Sequence, residues 1–180
     1  MTAPLPIPAT FRRDGNYVPI VENGLVVQKS ITLIGSGATV AVPLFSITGT
    51  VQMLALWGIV TTALGNNTAA YWRLNDATAQ SNISLNTGTA LTNAVAGSLL
   101  LRNLVAGSAL TLLNATQEIV QDTGSSGIGM FTQSILVQKT GGVATNVEFV
   151  YTTSDTPTTG VITFSLGFYP ISSDGNVTAV

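Results

Sequence analysis

The sequence predicts an all-β protein, an antiparallel β-sandwich of jelly-roll-like form. Apolar residues recur with a period of two from Leu25 onward, which is the pattern of half-buried antiparallel strands. Clusters of Gly, Asn, Asp, Pro and Ser separate these segments, as turns require. No segment has a convincing helical period, because Gly97 and Gly107 interrupt the best candidate. Short strands at such spacing predict a sandwich or a closed barrel.

Each strand is predicted from its own alternating segment, rich in the Val, Ile, Thr, Phe and Tyr that a pleated surface favours. Between residues 143 and 151 one face carries Val, Thr, Val, Phe and Tyr in turn. A short internal repeat occurs at a spacing of ten residues, in Asn93–Leu100 and Asn103–Leu110. This repeat predicts two successive hairpin arms. In chain order the strands are expected near Leu25–Ile34, Thr39–Ile47, Thr50–Thr62, Ala69–Asn75, Asn82–Asn86, Ser98–Leu104, Leu110–Asn114, Gln117–Gln121, Met130–Lys139, Val143–Thr153 and Gly160–Tyr169.

The first residues differ from the rest, since four of the seven prolines fall within the first twenty positions. Proline lacks an N–H and fixes φ, so the alternation of Pro4–Pro8 predicts an extended segment. We expect residues 1–24 to form an arm that docks onto a neighbour, and residues 25–180 to form a single sandwich domain. The candidate partner contacts on the arm are Pro4, Leu5, Pro6, Ile7, Pro8, Phe11, Arg12 and Arg13.

Charge is scarce: the 180 residues include six basic and eight acidic side chains, with a net charge of −2. Soluble domains carry about a quarter of charged residues, against 8% in this chain. The chain also has no His and no Cys, which excludes His-based catalytic triads, His metal sites and disulfides. The few basic residues are scattered, which disfavours nucleic acid. The densest apolar run, Met53–Val60, is too short to cross a membrane.

The most specific catalytic motif is Asp122-Thr123-Gly124-Ser125, which resembles the signature of aspartic peptidases. There a pair of carboxylates shares one proton and activates water. This chain has one such motif, so a homodimer would have to supply the second Asp. A polar turn explains the same residues more simply. We therefore expect no enzyme activity, no metal and no cofactor, and keep a homodimeric peptidase using Asp122 as a remote alternative.

Aromatic residues are the remaining candidates for binding. Trp57 lies in the most apolar run and is predicted to be core. Tyr71 and Trp72 are neighbours on one predicted strand, so one of the pair must point outward. Exposed aromatic side chains are common at subunit contacts. We therefore add Tyr71 and Trp72 to the candidate partner contacts.

The chain resembles small all-β virion structural proteins of tailed bacteriophages, such as capsid decoration and tail-associated or fibre-associated proteins. The resemblance is one of composition and of the spacing between strand-like segments and turns. It lies in Lys29–Val40, Gly49–Thr62 and Thr152–Gly160. It implies a jelly-roll-like sandwich, many copies on a particle and no catalysis. No site residues carry over from it.

The expected function is therefore a structural role in a phage particle, as an oligomeric capsid decoration or cement protein anchored by its N-terminal arm. Its partners would be further copies of itself, as in a trimer, and another virion protein such as the major capsid protein. We expect it in the virion, assembled in the host cytoplasm. The alternative is a tail or fibre module that binds a receptor or glycan. The sequence leaves open head against tail location, oligomer symmetry and strand order.

Overall fold

The all-β prediction is confirmed in a computed structural model, which describes residues 24–35, 37–65, 67–75, 82–102, 109–113, 135–138, 143–153 and 160–180. These residues contain strands and turns but no helix. The strands are β1 Leu25–Thr32, β2 Thr39–Thr48, β3 Thr50–Thr62, β4 Asn67–Asn75, β5 Ile83–Ser84, β6 Leu99–Leu101, β7 Thr111–Leu113, β8 Ile135–Gln138, β9 Thr145–Thr153, β10 Val161–Pro170 and β11 Asn176–Ala179.

Every predicted strand that reaches the described residues overlaps an observed one, and most ends differ by a few residues. The predicted strand Gln117–Gln121 lies outside the described residues. The last strand, β11, was not predicted, because its four residues alternate poorly and follow a turn-rich segment. The first copy of the sequence repeat, Asn93–Leu100, ends within β6, whereas β7 begins after the second copy, of which residues 103–108 lie outside the described residues. β6 and β7 pair antiparallel from Leu99 opposite Leu113 to Leu101 opposite Thr111.

The strands form two antiparallel sheets that pack face to face. Sheet 1 has the order β1-β10-β3-β6-β7, and β8 pairs with the first residues of β3. Sheet 2 has the order β11-β2-β9-β4-β5. The first four strands alternate between the sheets, so each connection from β1 to β4 crosses from one sheet to the other.

The pairings nest inside one another along the chain. β1 pairs with β10, β2 with β9, β3 with β8 and β4 with β5, all antiparallel. The last strand departs from this nesting, because β11 pairs with β2. Within each sheet, the further pairs β10–β3 and β9–β4 join the outer pairs of the nest to the inner ones.

The core between the sheets is centred on four aromatic rings. Trp72, Phe149 and Tyr151 come from sheet 2, and Phe164 comes from sheet 1; all are at most 1% exposed. The Phe149 and Phe164 ring centroids lie 4.8 Å apart, and Trp72 meets Phe164 edge to face at 6.2 Å. Rings at such distances add to the stabilisation from buried area. The single face predicted for residues 143–151 is confirmed as the inward face of β9 by Phe149 and Tyr151.

Two crossings between the sheets meet at one end of the sandwich. The turn from β2 to β3 passes beside the turn from β10 to β11, and the Ile171 and Ser172 N–H groups donate to the Thr50 carbonyl at 2.9 and 3.2 Å. The Thr50 N–H in return donates to Ser172 Oγ at 2.7 Å. Gly49 makes this turn with φ +60, where a side chain would be strained. These contacts hold the two turns together, and they thereby join the two sheets at this end of the sandwich.

Candidate functional site

The outer surfaces of the two sheets differ in chemistry. On sheet 1 the residues that alternate with the core form what we term the uncharged face. Its apolar members are Val26, Ala55, Trp57, Ile59, Leu99 and Leu101, and its polar members are Gln28, Ser30, Thr163 and Ser165. Val26 is 57% exposed and Ile59 is 37% exposed, while Trp57 and Leu99 are half-buried. Ala55, Leu101 and Ser165 are already buried. The exposed remainder of this face offers apolar contact area, and none of its described members carries a charge that would have to be desolvated.

Trp57 lies on the uncharged face, so the prediction that it belongs to the core is wrong. Its neighbours Leu56 and Gly58 face inward instead. The interior at this level is already occupied by the Phe164 ring, because a Cβ built on Gly58 would lie 2.9 Å from Phe164 Cε1. The segment around Trp57 is apolar on both faces, and the sequence alone could not decide which face turns inward.

On sheet 2 the outward residues form what we term the charged face, with Tyr71, Arg73 and Asn75 on β4 and Asn146 and Glu148 on β9. Arg73 Nε donates to Glu148 Oε2 at 2.6 Å, and Asn75 Nδ2 donates to Glu148 Oε1 at 3.0 Å. The Glu148 side chain is 7% exposed and that of Arg73 is 21% exposed. Both carboxylate oxygens therefore have a donor, as a nearly buried charge requires.

Tyr71 and Trp72 separate as the alternation predicts. Tyr71 is half-buried on the charged face, beside Arg73, and is available for a contact. Trp72 is fully buried and packs on Phe149 and Phe164, so its prediction as a partner contact is wrong. Its backbone N–H donates to the buried Asn86 Oδ1 at 2.9 Å, which ties β4 to the segment after β5.

The other predicted contacts and the catalytic motif cannot be placed with the two faces. The arm residues Pro4, Leu5, Pro6, Ile7, Pro8, Phe11, Arg12 and Arg13 lie outside the described residues, as does Asp122. Across the ranges that the structure describes, no group of three or more acidic side chains comes together to hold a metal ion. The same ranges contain no helix long and apolar enough to cross a membrane.

Sequence reasoning missed the Arg73–Glu148 pair. The two residues are 75 positions apart, and only the register between β4 and β9 brings them together. The signal in the sequence was the rarity of charge itself, since both residues interrupt strands that are otherwise uncharged.

The chain was compared with known protein families, curated proteins and solved structures. No family of known proteins matches this chain, and no curated protein or solved structure is significantly similar to it.

Proposed function

We propose that this chain is a structural subunit of a bacteriophage particle, an oligomeric protein that decorates or cements the capsid without catalysis. The nested pairs β1–β10, β2–β9, β3–β8 and β4–β5 support a jelly roll, because two Greek keys form when one antiparallel ribbon folds over into two sheets. The last strand, β11, is an addition to this pattern. Jelly rolls serve as viral capsid domains, but also as lectins and cupins. The fold therefore agrees with the proposal without deciding it.

The observation that carries the proposal is the shortage of free charge on the surface formed by the described residues. The charged residues among the described ranges are Lys29, Arg73, Arg102, Glu148 and Asp174. Arg73 and Glu148 pair with each other, Lys29 Nζ donates to the Pro43 carbonyl at 3.1 Å, and Asp174 Oδ1 accepts from Ser172 Oγ at 2.6 Å.

Arg102 is the last of these charged residues. It is half-buried, and burial lowers the pKa of its guanidinium from the ordinary value. The described surface thus has little charge left to keep separate copies apart in solution. Interfaces are depleted of charge at their centres, and the uncharged face has that composition. A subunit packed among neighbours on a particle accounts for both facts.

In this proposal the N-terminal segment, residues 1–24, anchors the subunit to another virion protein such as the major capsid protein. Its sequence suits an extended anchor, since Pro4–Pro8 favours extended backbone and Phe11, Arg12 and Arg13 offer one apolar and two basic contacts. The sandwich then presents the uncharged face to sister subunits.

Purified phage particles from cells that encode this chain test the proposal. Mass spectrometry should find the chain at a stoichiometry comparable to that of the major capsid protein, and its absence from particles would contradict the proposal. Particles that lack the chain should rebind the full-length protein but not a variant without residues 1–20. Circular dichroism of that variant should still show a folded sandwich. Rebinding of the truncated variant would refute the anchoring role.

A second candidate, a glycan-binding module of a tail or fibre, is favoured by one observation on the charged face. Tyr71, Arg73 and Asn75 stand two residues apart on one side of β4, so an aromatic ring, a guanidinium and an amide are presented in a row. Aromatic rings stack on sugars, and planar donors bind their hydroxyl groups. A host adsorption assay with Tyr71→Ala distinguishes the candidates. Adsorption should fall for a glycan module and remain unchanged for a capsid protein.

A further inference from the structure

Among the described residues, the longest strand edge without a strand partner belongs to β1. In the described part of the chain its eight residues pair only with β10, on one side. The terminal strands elsewhere are short: β5 has two residues, β7 three and β11 four. Leu25 and Val26 at the start of β1 are 53% and 57% exposed. A long unpaired edge of this kind is a template for another strand, and proteins normally cover it.

The open part of the neighbouring edge of sheet 2 is shorter than β1 and contains a proline. β11 covers β2 only from Phe45 to Thr48, so the first half of β2 is open as well. That half contains Pro43, which has no N–H to donate, and the Pro43 carbonyl already accepts Lys29 Nζ at 3.1 Å. An added strand would find few free partners there.

The backbone at Gly24 argues against a tight hairpin that would fold the same chain back onto β1. Asn23-Gly24 would favour a type I′ turn, which needs positive φ at both residues. Gly24 does not have positive φ, and a Cβ built on it would lie 2.9 Å from Leu54 Cδ1 and 3.8 Å from the Tyr169 ring. Gly24 therefore does not occupy the second central position of a type I′ turn.

The sequence before Gly24 contains a segment suited to one strand edge. In an extended strand, alternate residues direct their N–H and C=O groups to the same side. Leu5 and Ile7 therefore offer N–H groups along one edge of Pro4–Pro8, and the three prolines leave the other edge without donors. Such a strand adds at one side and stops further growth of the sheet. The 23 preceding residues reach about 75 Å when extended, against about 27 Å for β1.

We propose that Pro4–Pro8 of one copy adds as a strand to the β1 edge of a neighbouring copy, so that N-terminal segments link the subunits of the oligomer. This inference rests on the proposed assembly role and specifies the contact between copies. Phe11, Arg12 and Arg13 remain free in this arrangement to reach the particle. Main-chain hydrogen bonds supply the affinity, as in other cases of strand addition.

Cysteine cross-linking tests the contact cleanly, because the chain has no cysteine of its own. Two single variants, Ile7→Cys and Val26→Cys, are mixed in equal amounts and treated with a short bismaleimide. Peptides joining positions 7 and 26 in this mixture arise only between different copies, and we expect them. Ser84→Cys is the control, since Ser84 is exposed on β5 at the far edge of sheet 2. A variant that carries both cysteines tests joining within one copy. If positions 7 and 26 cross-link within its monomer, or if the mixture gives no cross-link between them, the inference is overturned.

Backbone donors are tested separately. Leu5→Pro with Ile7→Pro removes the two N–H groups, whereas Leu5→Ala with Ile7→Ala keeps them. Light scattering should show that the proline variant dissociates at a concentration at least tenfold higher than the alanine variant does, with unchanged circular dichroism. Equal dissociation of both variants would refute strand addition. The proposed function is judged independently: cross-links without presence in particles would refute that function, and presence without cross-links would refute only this inference.

Discussion

Arg73 and Glu148 stand opposite each other on β4 and β9, and Arg73 Nε lies 2.6 Å from Glu148 Oε2. The pair lies on the outer side of sheet 2, yet the Glu148 side chain is only 7% exposed. The described residues contain few other charges, so this carboxylate depends on Arg73 and Asn75 for its solvation. The face is thereby polar without presenting a free acid.

Removing Arg73 should destabilise the fold, because the carboxylate of Glu148 depends on it. We expect Arg73→Ala to lower the free energy of unfolding by about 1–3 kcal/mol, because a nearly buried carboxylate loses its charged partner. Urea denaturation measures the change. Arg73→Ala combined with Glu148→Gln should recover part of it, since an amide needs no counter-charge. An unchanged midpoint in Arg73→Ala would show that solvent already satisfies Glu148.

Gly58 leaves room for the Phe164 ring, so filling that room should also destabilise the protein. A Cβ at position 58 would lie 2.9 Å from Phe164 Cε1 and 3.1 Å from Ile162 Cγ2. We expect Gly58→Ala to lower the free energy of unfolding by about 1–3 kcal/mol through overpacking. Gly167→Ala is the matched control on the outer side of β10, where the nearest atoms, those of Ala55, are 3.9 Å away. Equal effects of the two variants in urea denaturation would contradict this explanation.

Gly49 is required by both its backbone angle and its surroundings. Its φ is +60, and a Cβ there would lie 2.5 Å from Asp174 Oδ1 and 2.6 Å from the Gly175 nitrogen. We expect Gly49→Ala to destabilise the protein by more than about 2 kcal/mol, since strain and clash act together. Ser172→Ala removes the hydrogen bond from the Thr50 N–H and the one that Ser172 Oγ donates to the exposed Asp174, without straining the backbone, and should change stability by about 1 kcal/mol. Thermal unfolding of both variants checks this order, and the reverse order would contradict it.

The two tryptophans should differ in their access to solvent. Trp57 is half-buried on the uncharged face, whereas Trp72 is fully buried. We expect acrylamide to quench Trp72→Phe, which retains Trp57, several-fold more strongly than Trp57→Phe, which retains Trp72. If the uncharged face contacts sister subunits, oligomerisation should reduce quenching in Trp72→Phe and leave Trp57→Phe unchanged. Quenching of Trp57 that does not depend on concentration would place the interface elsewhere.

Local pattern was sufficient to predict strands and faces where alternation was strong. Phe149 and Tyr151, like Ile162 and Phe164, occupy the buried face that their period of two indicates. Where residues are apolar on both faces, as around Trp57, the pattern gives no direction. The choice depends on what fills the space opposite, which is the Phe164 ring from a strand more than a hundred residues away.

The sequence by itself determined an all-β chain with little charge, and with no histidine or cysteine to support their chemistry. These properties follow from composition and from residues adjacent in sequence, and they do not depend on how the strands pair. The tertiary structure alone decided that β1 pairs with β10, that Arg73 meets Glu148, and that Trp57 faces outward while Trp72 is buried. The physical reason is that strand pairing joins residues far apart in sequence, and its register is set by side chains that pack together only after both sheets have formed.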